Sequence, residues 1–357
     1  MRVTRREIRV EGAAPYRVVI GDGVLAEARG FVEGWSRVAI VSDAHVAPLW
    51  SRALELPEAL VVTIEPGEPS KRFAVLEDVL DRLAAGGLDR RSGVLALGGG
   101  VVGDLAGLAA ALFQRGVPIV HCPTSLLSQV DSAVGGKTAV NLAAGKNLAG
   151  AFHSPAGVIA DTSTLRTLPD EELRSGLGEV LKTALIAGEE ALCTIERVAP
   201  ALLDRDEAAL VEVVALCVAT KARIVGEDER EAGPRRALNL GHSFAHAIEA
   251  AAGLGAVPHG VAVGLGVALA LRASERVGVL EEASLLERVE RLLARLGLPV
   301  RVADLPARFS VEAALAALAH DKKATLGEVE FVLPRRAGSL ELARTLPREL
   351  VAALLEA

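Results

Sequence analysis

Short apolar runs alternate with amphipathic stretches through the first 165 residues of the chain. The apolar runs stop at acidic or turn-forming residues such as Asp43 and Pro66, as buried strands usually do. Helical stretches such as 73–85 and 103–113 lie between the runs. Strands that alternate with helices are typical of a mostly parallel sheet covered by helices. The predicted strands are 37–42, 60–64, 93–97, 118–121 and 158–160.

The pattern changes near residue 167, where longer segments of helical periodicity replace the short runs. Pro169 and Asp170, followed by two glutamates, are a typical helix start. Strand signals nearly vanish beyond this point, except at 329–333. The long helical segments are 208–226, 236–252, 260–277 and 283–296. The sequence therefore predicts a Rossmann-like α/β domain over 1–165 and an all-α domain over 166–357.

Composition and charge exclude several kinds of partner. With 357 residues, 51% of them hydrophobic, the chain can bury two cores. Only 3% of the residues are aromatic and the net charge is −7, which argues against a nucleic-acid partner. Residues 1–10 lack the apolar core of a signal peptide, and the apolar stretch 261–271 is too short to span a bilayer. Three separated cysteines without a C-x-x-C motif fit the cytosol. We therefore expect a cytoplasmic protein that binds neither nucleic acid nor membranes.

Lysine is rare in this chain, since 32 of its 39 basic residues are arginine. An ammonium group is a compact point charge, whereas guanidinium is a planar fork, and the two do different chemistry. Lys137 and Lys146 lie next to glycines within 101–150, a stretch with only five charged residues. We expect the retained lysines to serve a local site for a small anion. The seven lysines are Lys71, Lys137, Lys146, Lys182, Lys221, Lys322 and Lys323.

A glycine-rich turn at 98–103 follows a predicted strand and opens a predicted helix. It fits the pattern G-x-G-x-x-G, in which glycines let the backbone approach a pyrophosphate at a helix N-terminus. The ribose-binding carboxylate that usually follows about 20 residues later is absent here. Asp43, at the end of an earlier predicted strand, could hold a ribose instead. A tight strand–helix turn without a ligand is the alternative interpretation.

Three histidines and one glutamate in the second half of the chain are typical zinc ligands. His242 and His246 are four residues apart and therefore share a helix face. His259 opens the next helical segment, and Glu179 is a carboxylate in an otherwise apolar helix. Any three of these four side chains could bind the ion and leave a position open for a substrate oxygen. Lys182 lies on the same helix face as Glu179, where it either serves this site or forms a surface salt bridge.

The chain resembles the 3-dehydroquinate synthase family in a series of motifs that follow one another in the family's order along nearly its whole length. The motifs lie at 66–71, 98–104, 123–127, 131–138, 145–148, 178–182, 239–242, 259–260 and 321–323. The resemblance implies a dehydroquinate synthase-like fold, bound NAD, a zinc or cobalt ion and a homodimer. It also implies a substrate, 3-deoxy-D-arabino-heptulosonate 7-phosphate, which is converted to 3-dehydroquinate and phosphate in the shikimate pathway. The implied steps are transient oxidation by NAD, phosphate elimination, reduction, ring opening and an intramolecular aldol reaction.

The resemblance also implies a role for individual residues. It assigns the metal to Glu179, His242 and His259, which leaves His246 on the substrate side. The implied NAD contacts are Asp43, Glu68, Lys71, Gly99, Gly100, Asp104, Thr124 and Ser125. The implied catalytic residues are Asp131, Lys137, Lys182, Lys221 and His246. The implied substrate-binding residues are Lys146, Asn147, Arg235, Asn239 and one of Lys322 and Lys323.

Two other enzyme classes fit parts of the same pattern. Another sugar phosphate cyclase would share the glycine turn and the metal ligands, but would differ where the substrate carboxylate and phosphate bind. Lys221, Arg235 and Asn239 match the 3-dehydroquinate synthase pattern at those positions. A metal-dependent polyol dehydrogenase would leave the set of lysines unexplained. A non-enzymatic helical scaffold would give Glu179 and the histidines no role.

Overall fold

The computed structural model describes residues 5–228, 233–253, 255–319 and 329–356. The chain forms two compact units, the first made of Met1–Leu168 with Glu207–Gly226 and the second of Pro169–Asp206 with Glu227–Ala357. The single domain boundary after residue 165 stays a prediction, and the two units differ from it mainly in the segment Glu207–Gly226. None of the helices in the described ranges combines the length and the apolar character needed to cross a membrane.

The first unit contains a sheet of seven strands and a separate hairpin. The order in the sheet is β1-β2-β9-β6-β5-β3-β4, and only β1 runs antiparallel to its neighbour. The hairpin pairs β7 with β8. The strands of this unit are β1 (Arg6–Val10), β2 (Tyr16–Gly21), β3 (Val38–Asp43), β4 (Leu60–Ile64), β5 (Gly93–Gly98), β6 (Ile119–Pro123), β7 (Lys137–Leu142), β8 (Gly145–Phe152) and β9 (Gly157–Asp161).

Both faces of the large sheet are buried, which is why its central strands are continuous apolar runs in the sequence. Successive side chains of a strand point to opposite faces. On β5, Val94 and Ala96 belong to one core cluster, whereas Leu95 and Leu97 belong to the other. The predicted parallel α/β architecture is therefore confirmed, and β4 has the predicted bounds.

Helices cover the sheet and form most of the second unit. The helices in chain order are α1 (Ala28–Phe31), α2 (Ala47–Trp50), α3 (Phe73–Ala85), α4 (Gly100–Leu112), α5 (Asp170–Ala187), α6 (Glu189–Leu203), α7 (Glu207–Glu227), α8 (His242–Ala252), α9 (His259–Arg276), α10 (Ser284–Arg295), α11 (Val311–Ala319) and α12 (Arg348–Glu356). Helix α3 has the predicted bounds.

Among its described residues the second unit is helical, as predicted, with one antiparallel hairpin at the place where the sequence kept a strand signal. The hairpin pairs β10 (Glu330–Arg336) with β11 (Ser339–Thr345). Phe331 on β10 is buried, and its ring lies 4.9 Å from the ring of Phe244 on α8. The hairpin packs one face against the helices, and the apolar run at 329–333 that predicted a strand supplies the buried residues of β10.

Helices α5 and α9 cross at two glycines. A β-carbon at Gly178 would lie 1.8 Å from the carbonyl oxygen of Gly260, and one at Gly260 would lie 1.8 Å from that of Ser175. Only residues without a side chain allow backbones to approach so closely. Since Glu179 follows Gly178 and His259 precedes Gly260, this crossing also brings these two side chains together.

The predicted helix 236–252 is wrong in its first part. Residues Pro234–Asn239 form a 3-10 helix, and α8 begins only at His242. Gly241 between them has φ +77°, a left-handed conformation that ends one helix and starts another. A β-carbon at Gly241 would also lie 2.8 Å from the backbone nitrogen of Val267, so this turn fits only glycine.

Candidate active site and metal centre

The predicted cofactor residues of the first unit lie at the carboxyl ends of four neighbouring strands. In open parallel sheets, nucleotides bind at this edge. The 3-10 turn with Glu68 and Lys71 follows β4, and Asp43 ends β3. The glycine turn follows β5 and opens α4, while Thr124 and Ser125 follow β6. The fold therefore brings together residues that lie up to 82 positions apart in the chain, from Asp43 to Ser125.

The glycine turn lies beside the segment that follows β6. The Thr124 N–H donates a hydrogen bond to the carbonyl of Gly98 at 3.0 Å. A β-carbon at Gly99 would lie 3.6 Å from Ser125 Oγ, and one at Gly100 would lie 3.4 Å from Ser132 Oγ. Asp43 is held through Oδ1, which accepts the backbone N–H groups of the two residues that start the next turn, both at 2.9 Å.

Two buried lysines of the first unit form ion pairs with predicted site carboxylates. Lys71, 5% exposed, pairs with Asp104 on α4. Burial raises the pKa of Asp104, and the ammonium of Lys71 opposes this rise. Lys221 on α7, 7% exposed, lies 2.5 Å from Asp131 Oδ1 and donates a second hydrogen bond to the Asp131 carbonyl at 2.7 Å. Such pairs are costly to break because the remaining charge stays buried.

The other two predicted lysines of this unit lie on the β7–β8 hairpin. Lys137 begins β7, and Lys146 lies near the start of β8; both are exposed. Asn147 follows with φ +55°, a left-handed conformation that is uncommon for a residue with a side chain. The hairpin thus presents two exposed cations and one amide at its ends.

The predicted metal ligands of the second unit converge on one carboxylate. Glu179 on α5 is fully buried, and its Oε1 lies 3.7 Å from His242 Nε2 and 3.5 Å from His259 Nε2. One ligand atom from each of the three residues lies within 4.8 Å of the others. A carboxylate with two imidazoles is a typical ligand set of catalytic zinc, so the three residues fit a divalent ion.

Hydrogen bonds orient both imidazole rings. His242 Nδ1 lies 3.3 Å from the carbonyl of Leu240, and His259 Nδ1 lies 3.0 Å from Glu249 Oε2. In each ring the contact at Nδ1 leaves Nε2 facing Glu179, and zinc-binding histidines are often oriented by such a hydrogen bond at the other ring nitrogen. The sequence reasoning missed Glu249. Its only signal is its position three residues after His246 on the same helix.

A second group could also hold an ion, because ligand atoms of His246, Glu249 and His259 lie within the same mutual distance. His246 is exposed, and its ring centroid lies 5.5 Å from that of His242. His242 and His246 therefore lie on one face of α8, where the first is half-buried and the second is exposed. The deep burial of Glu179 favours the group that contains it.

Lys182 adds a buried positive charge to the centre. It is 1% exposed, and its Nζ lies 2.5 Å from Glu179 Oε2, so the alternative of a surface salt bridge is wrong. Burial and the nearby Lys182 ammonium hold the pKa of His242 well below its usual range. Burial also lowers the pKa of His259, but hydrogen bonds to Glu179 and Glu249 outweigh this and raise it to about 10. A metal ion would therefore compete with a proton for His259.

The predicted phosphate-binding residues of this unit lead into α8. Arg235 and Asn239 lie on the 3-10 helix Pro234–Asn239, and Arg235 is only 2% exposed although its side chain is charged. The backbone N–H of Arg235 donates to Asp228 Oδ2 at 3.2 Å. Lys322 and Lys323, predicted for the same role, lie outside the described residues.

His121 is a buried titratable side chain that the sequence reasoning missed. It lies on β6, is 6% exposed, and burial lowers its pKa to about 4. A β-carbon at Gly103 of the glycine turn would lie 3.7 Å from its Nδ1. The imidazole is therefore neutral at physiological pH and packs beneath the glycine turn.

We expect acid to destabilise the first unit through His121. An unfolded histidine binds a proton below about pH 6.5, whereas the folded one does so only near pH 4. The free energy of unfolding therefore falls as the pH drops from 6.5 to 4, by about 3 kcal/mol for this group. His121→Gln should lack this contribution. Its free energy of unfolding, measured in urea, should therefore fall less between pH 7 and pH 4.5 than that of the wild type. Exposed His45→Gln is the control, and equal pH dependence in both variants would contradict the prediction.

Comparison with known proteins identifies the fold and the family. Two family profiles match, described as 3-dehydroquinate synthase N-terminal over residues 61–175 and 3-dehydroquinate synthase C-terminal over residues 176–324. The 3-dehydroquinate synthase of Caulobacter vibrioides (strain NA1000 / CB15N) is 46% identical over 356 residues, which covers 96% of each chain.

Two solved structures share the fold. The 2-epi-5-epi-valiolone synthase of Streptomyces hygroscopicus subsp. jinggangensis, solved with NAD+ and Zn2+, has 31% identity and a TM-score of 0.86 over 96% of each chain. A 2-deoxy-scyllo-inosose synthase solved with carbaglucose-6-phosphate, NAD+ and Co2+ has 24% identity and a TM-score of 0.90, covering 98% of this chain and 99% of that one. The latter likeness concerns the fold alone.

The fold and these likenesses define the class of protein, an enzyme with the architecture of the sugar phosphate cyclases. The chain belongs to the 3-dehydroquinate synthase family. The family, the fold class and the prediction that the chain is an enzyme are therefore confirmed.

Proposed function

We propose that this chain converts 3-deoxy-D-arabino-heptulosonate 7-phosphate to 3-dehydroquinate and inorganic phosphate. The observation that carries the proposal is the buried carboxylate of Glu179, with two imidazole nitrogens within 3.7 Å and the Lys182 ammonium at 2.5 Å. Such a centre would hold a divalent ion that polarises an alcohol, and a bound nicotinamide would then accept the hydride of that alcohol. Membership of the 3-dehydroquinate synthase family supports this substrate over those of other cyclases.

Two cofactors complete the proposal. NAD, when bound, supplies a reversible hydride acceptor for the carbon-5 alcohol, and it is regenerated in each turnover. A zinc or cobalt ion, when bound, polarises the same hydroxyl group. Support comes from the 2-epi-5-epi-valiolone synthase, which was solved with NAD+ and Zn2+ and is 31% identical. The carboxyl-end location of the predicted cofactor residues in the first unit also agrees with nucleotide binding.

In the second unit we assign the ion to Glu179, His242 and His259. The buried ammonium of Lys182 would donate a hydrogen bond to a substrate oxygen and stabilise negative charge on it. Exposed His246 would exchange the proton of that oxygen with solvent, since an imidazole ring can both donate and accept a proton. Glu249 would hold the ring of His259 in the orientation that turns Nε2 toward Glu179.

The remaining cations and donors divide between the two acidic ends of the substrate. We assign Lys137 and Lys221 to the carboxylate of the substrate. Asp131, which accepts hydrogen bonds from Lys221 at its side chain and at its backbone carbonyl, is assigned to a hydroxyl group. The phosphate dianion needs several converging donors, because its charge is costly to desolvate. Its assigned partners are Lys146, Asn147, Arg235, Asn239 and one of Lys322 and Lys323.

A direct assay of phosphate release tests this function. We expect the purified protein with NAD and zinc to release inorganic phosphate from 3-deoxy-D-arabino-heptulosonate 7-phosphate without net build-up of NADH. Chelator treatment should abolish the release, and added zinc or cobalt should restore it. Glucose 6-phosphate and a simple polyol are the controls. Phosphate release from glucose 6-phosphate alone would favour another cyclase, and NADH build-up from the polyol would favour a dehydrogenase.

We also propose that the protein is cytoplasmic and forms a homodimer through its first unit. This unit exposes large apolar side chains, among them Leu112 at the end of α4 and Phe152 at the end of β8, exposed by 50% and 55%. Exposed apolar groups of this size often mark an interface. We expect sedimentation equilibrium to give twice the chain mass, and Phe152→Glu to shift the protein toward a monomer. A wild-type monomer at micromolar concentration would contradict the dimer, and Ala283→Glu at an exposed position of the second unit is the control.

A further inference from the structure

Asn141 on β7 makes three hydrogen bonds that join two parts of the predicted site. Its Nδ2 donates to Glu68 Oε1 at 2.6 Å, and its Oδ1 accepts the backbone N–H of Asn147 at 2.8 Å. Its own backbone N–H donates to the carbonyl of Lys71 at 2.8 Å. Neither the motifs nor the resemblance assigned a role to this residue.

The pairing of the hairpin is irregular at Asn141. Val140 pairs with Ala149, but Leu142 pairs with Gly145, so the register shifts between these two pairs. Three residues of β8, 146–148, therefore lie opposite Asn141 alone on β7, and the extra residues belong to β8. Asn147, in its left-handed conformation, lies within this irregular segment and directs its backbone N–H to Asn141 Oδ1.

The orientation of the amide is fixed by its two partners. A carboxylate accepts hydrogen bonds and cannot donate them when ionised, so it must face the NH2 group of Asn141. A backbone N–H can only donate, so it must face the oxygen. Because Glu68 and the Asn147 N–H make opposite demands, only one orientation satisfies both, and the bond to Glu68 is strengthened by its charge.

We propose that Asn141 is a positioning residue that couples the cofactor segment, Glu68–Lys71, to the phosphate-binding turn with Lys146 and Asn147. The assignment of ligands to these two segments rests on the proposed function. Lys71 is in turn tied to α4 by its ion pair with Asp104. A nucleotide that orders the cofactor segment therefore also orders the turn. Because coupling between two sites is reciprocal, a phosphate bound at the turn also orders the cofactor segment.

An exchange of donor and acceptor tests the role. Asn141→Asp places a second carboxylate against Glu68, so we expect the dissociation constant for NAD to rise about tenfold or more in isothermal titration. The double variant E68Q/N141D restores one donor facing one acceptor at the net charge of the wild type, so it should bind NAD more tightly than N141D, although it also changes Glu68, an assigned NAD contact. The matched control is E65Q/N141D, which has the same net charge but changes exposed Glu65 instead, and it should recover nothing.

Coupling is measured with inorganic phosphate as the second probe. In the wild-type protein, saturating NAD should tighten phosphate binding by about fivefold or more, and N141D should reduce this factor toward one. Equal NAD affinity in N141D and the wild type would overturn the proposal, as would equal recovery by E68Q and E65Q. If N141D fails to fold, Asn141→Ala, which removes the amide without adding a charge, replaces it, and a coupling factor between NAD and phosphate equal to that of the wild type would overturn the proposal. These binding readouts do not require turnover, so a wild type that binds NAD but releases no phosphate from the heptulosonate would refute the proposed function alone.

Discussion

Glu179→Gln is expected to lower turnover about a thousandfold and to weaken zinc binding. Glu179 is fully buried and lies within 3.7 Å of both histidine Nε2 atoms, so it is the one anionic ligand of the proposed ion. Loss of the metal's contribution to charge stabilisation, which amounts to several kcal/mol, corresponds to about this change in rate. The substitution also deprives buried Lys182 of its carboxylate partner, which adds to the loss in stability.

The measurement pairs phosphate release with metal content after dialysis. Glu171→Gln is the matched control, because it makes the same change at an exposed position on the same helix. The control should keep wild-type turnover and metal. A Glu179→Gln protein that retains stoichiometric zinc and most of its turnover would remove Glu179 from the metal centre. Circular dichroism and the thermal midpoint separate a lost ligand from a lost fold.

The parallel sheet could be predicted from the sequence because its strands are buried on both faces. Such strands are continuous apolar runs, and the predicted strands 93–97 and 118–121 correspond to the fully buried β5 and β6. The β7–β8 hairpin could not be predicted in the same way. Strand β8 is rich in glycine and alanine, contains no β-branched residue, and has Phe152 at its end as its single aromatic side chain.

Single residues whose partners lie far away in the chain also escaped prediction. Asn141 contacts Glu68 across 73 positions, and nothing in the local sequence distinguishes it from an ordinary turn amide. Glu249 is ten positions from His259, on another helix, so its contact depends on how the two helices meet. The metal ligands were easier to recognise, because a carboxylate and imidazoles in apolar segments are unusual in themselves.

The break before α8 has a similar cause. Helical periodicity continues through 236–252, so the pattern predicts one helix, and a single glycine is tolerated within such a segment. The turn at Gly241 is imposed by the close backbone of Val267, which the sequence does not reveal. Its consequence is functional, because His242 becomes the first residue of α8 and its Nδ1 can reach the carbonyl of Leu240.

Gly260→Ala is expected to destabilise the second unit by about 3 kcal/mol or more and to release the metal. A β-carbon there would lie 1.8 Å from the carbonyl oxygen of Ser175, and no rotation of a side chain can relieve a contact with backbone. Helices α5 and α9 must then move apart. Since Glu179 and His259 lie next to the crossing glycines, their separation would increase with that of the helices.

Gly264→Ala is the matched control, one turn further along α9. A β-carbon at this position would lie 3.3 Å from the end of the flexible Leu293 side chain and 3.5 Å from the Gly178 α-carbon, contacts that small shifts can relieve. Urea unfolding and equilibrium zinc binding should therefore change much more in Gly260→Ala than in Gly264→Ala. Equal stability and equal zinc affinity in the two variants would show that the close approach of α5 and α9 does not set the geometry of the metal centre. A Gly260→Ala protein that is destabilised but binds zinc normally would separate helix packing from ligand placement.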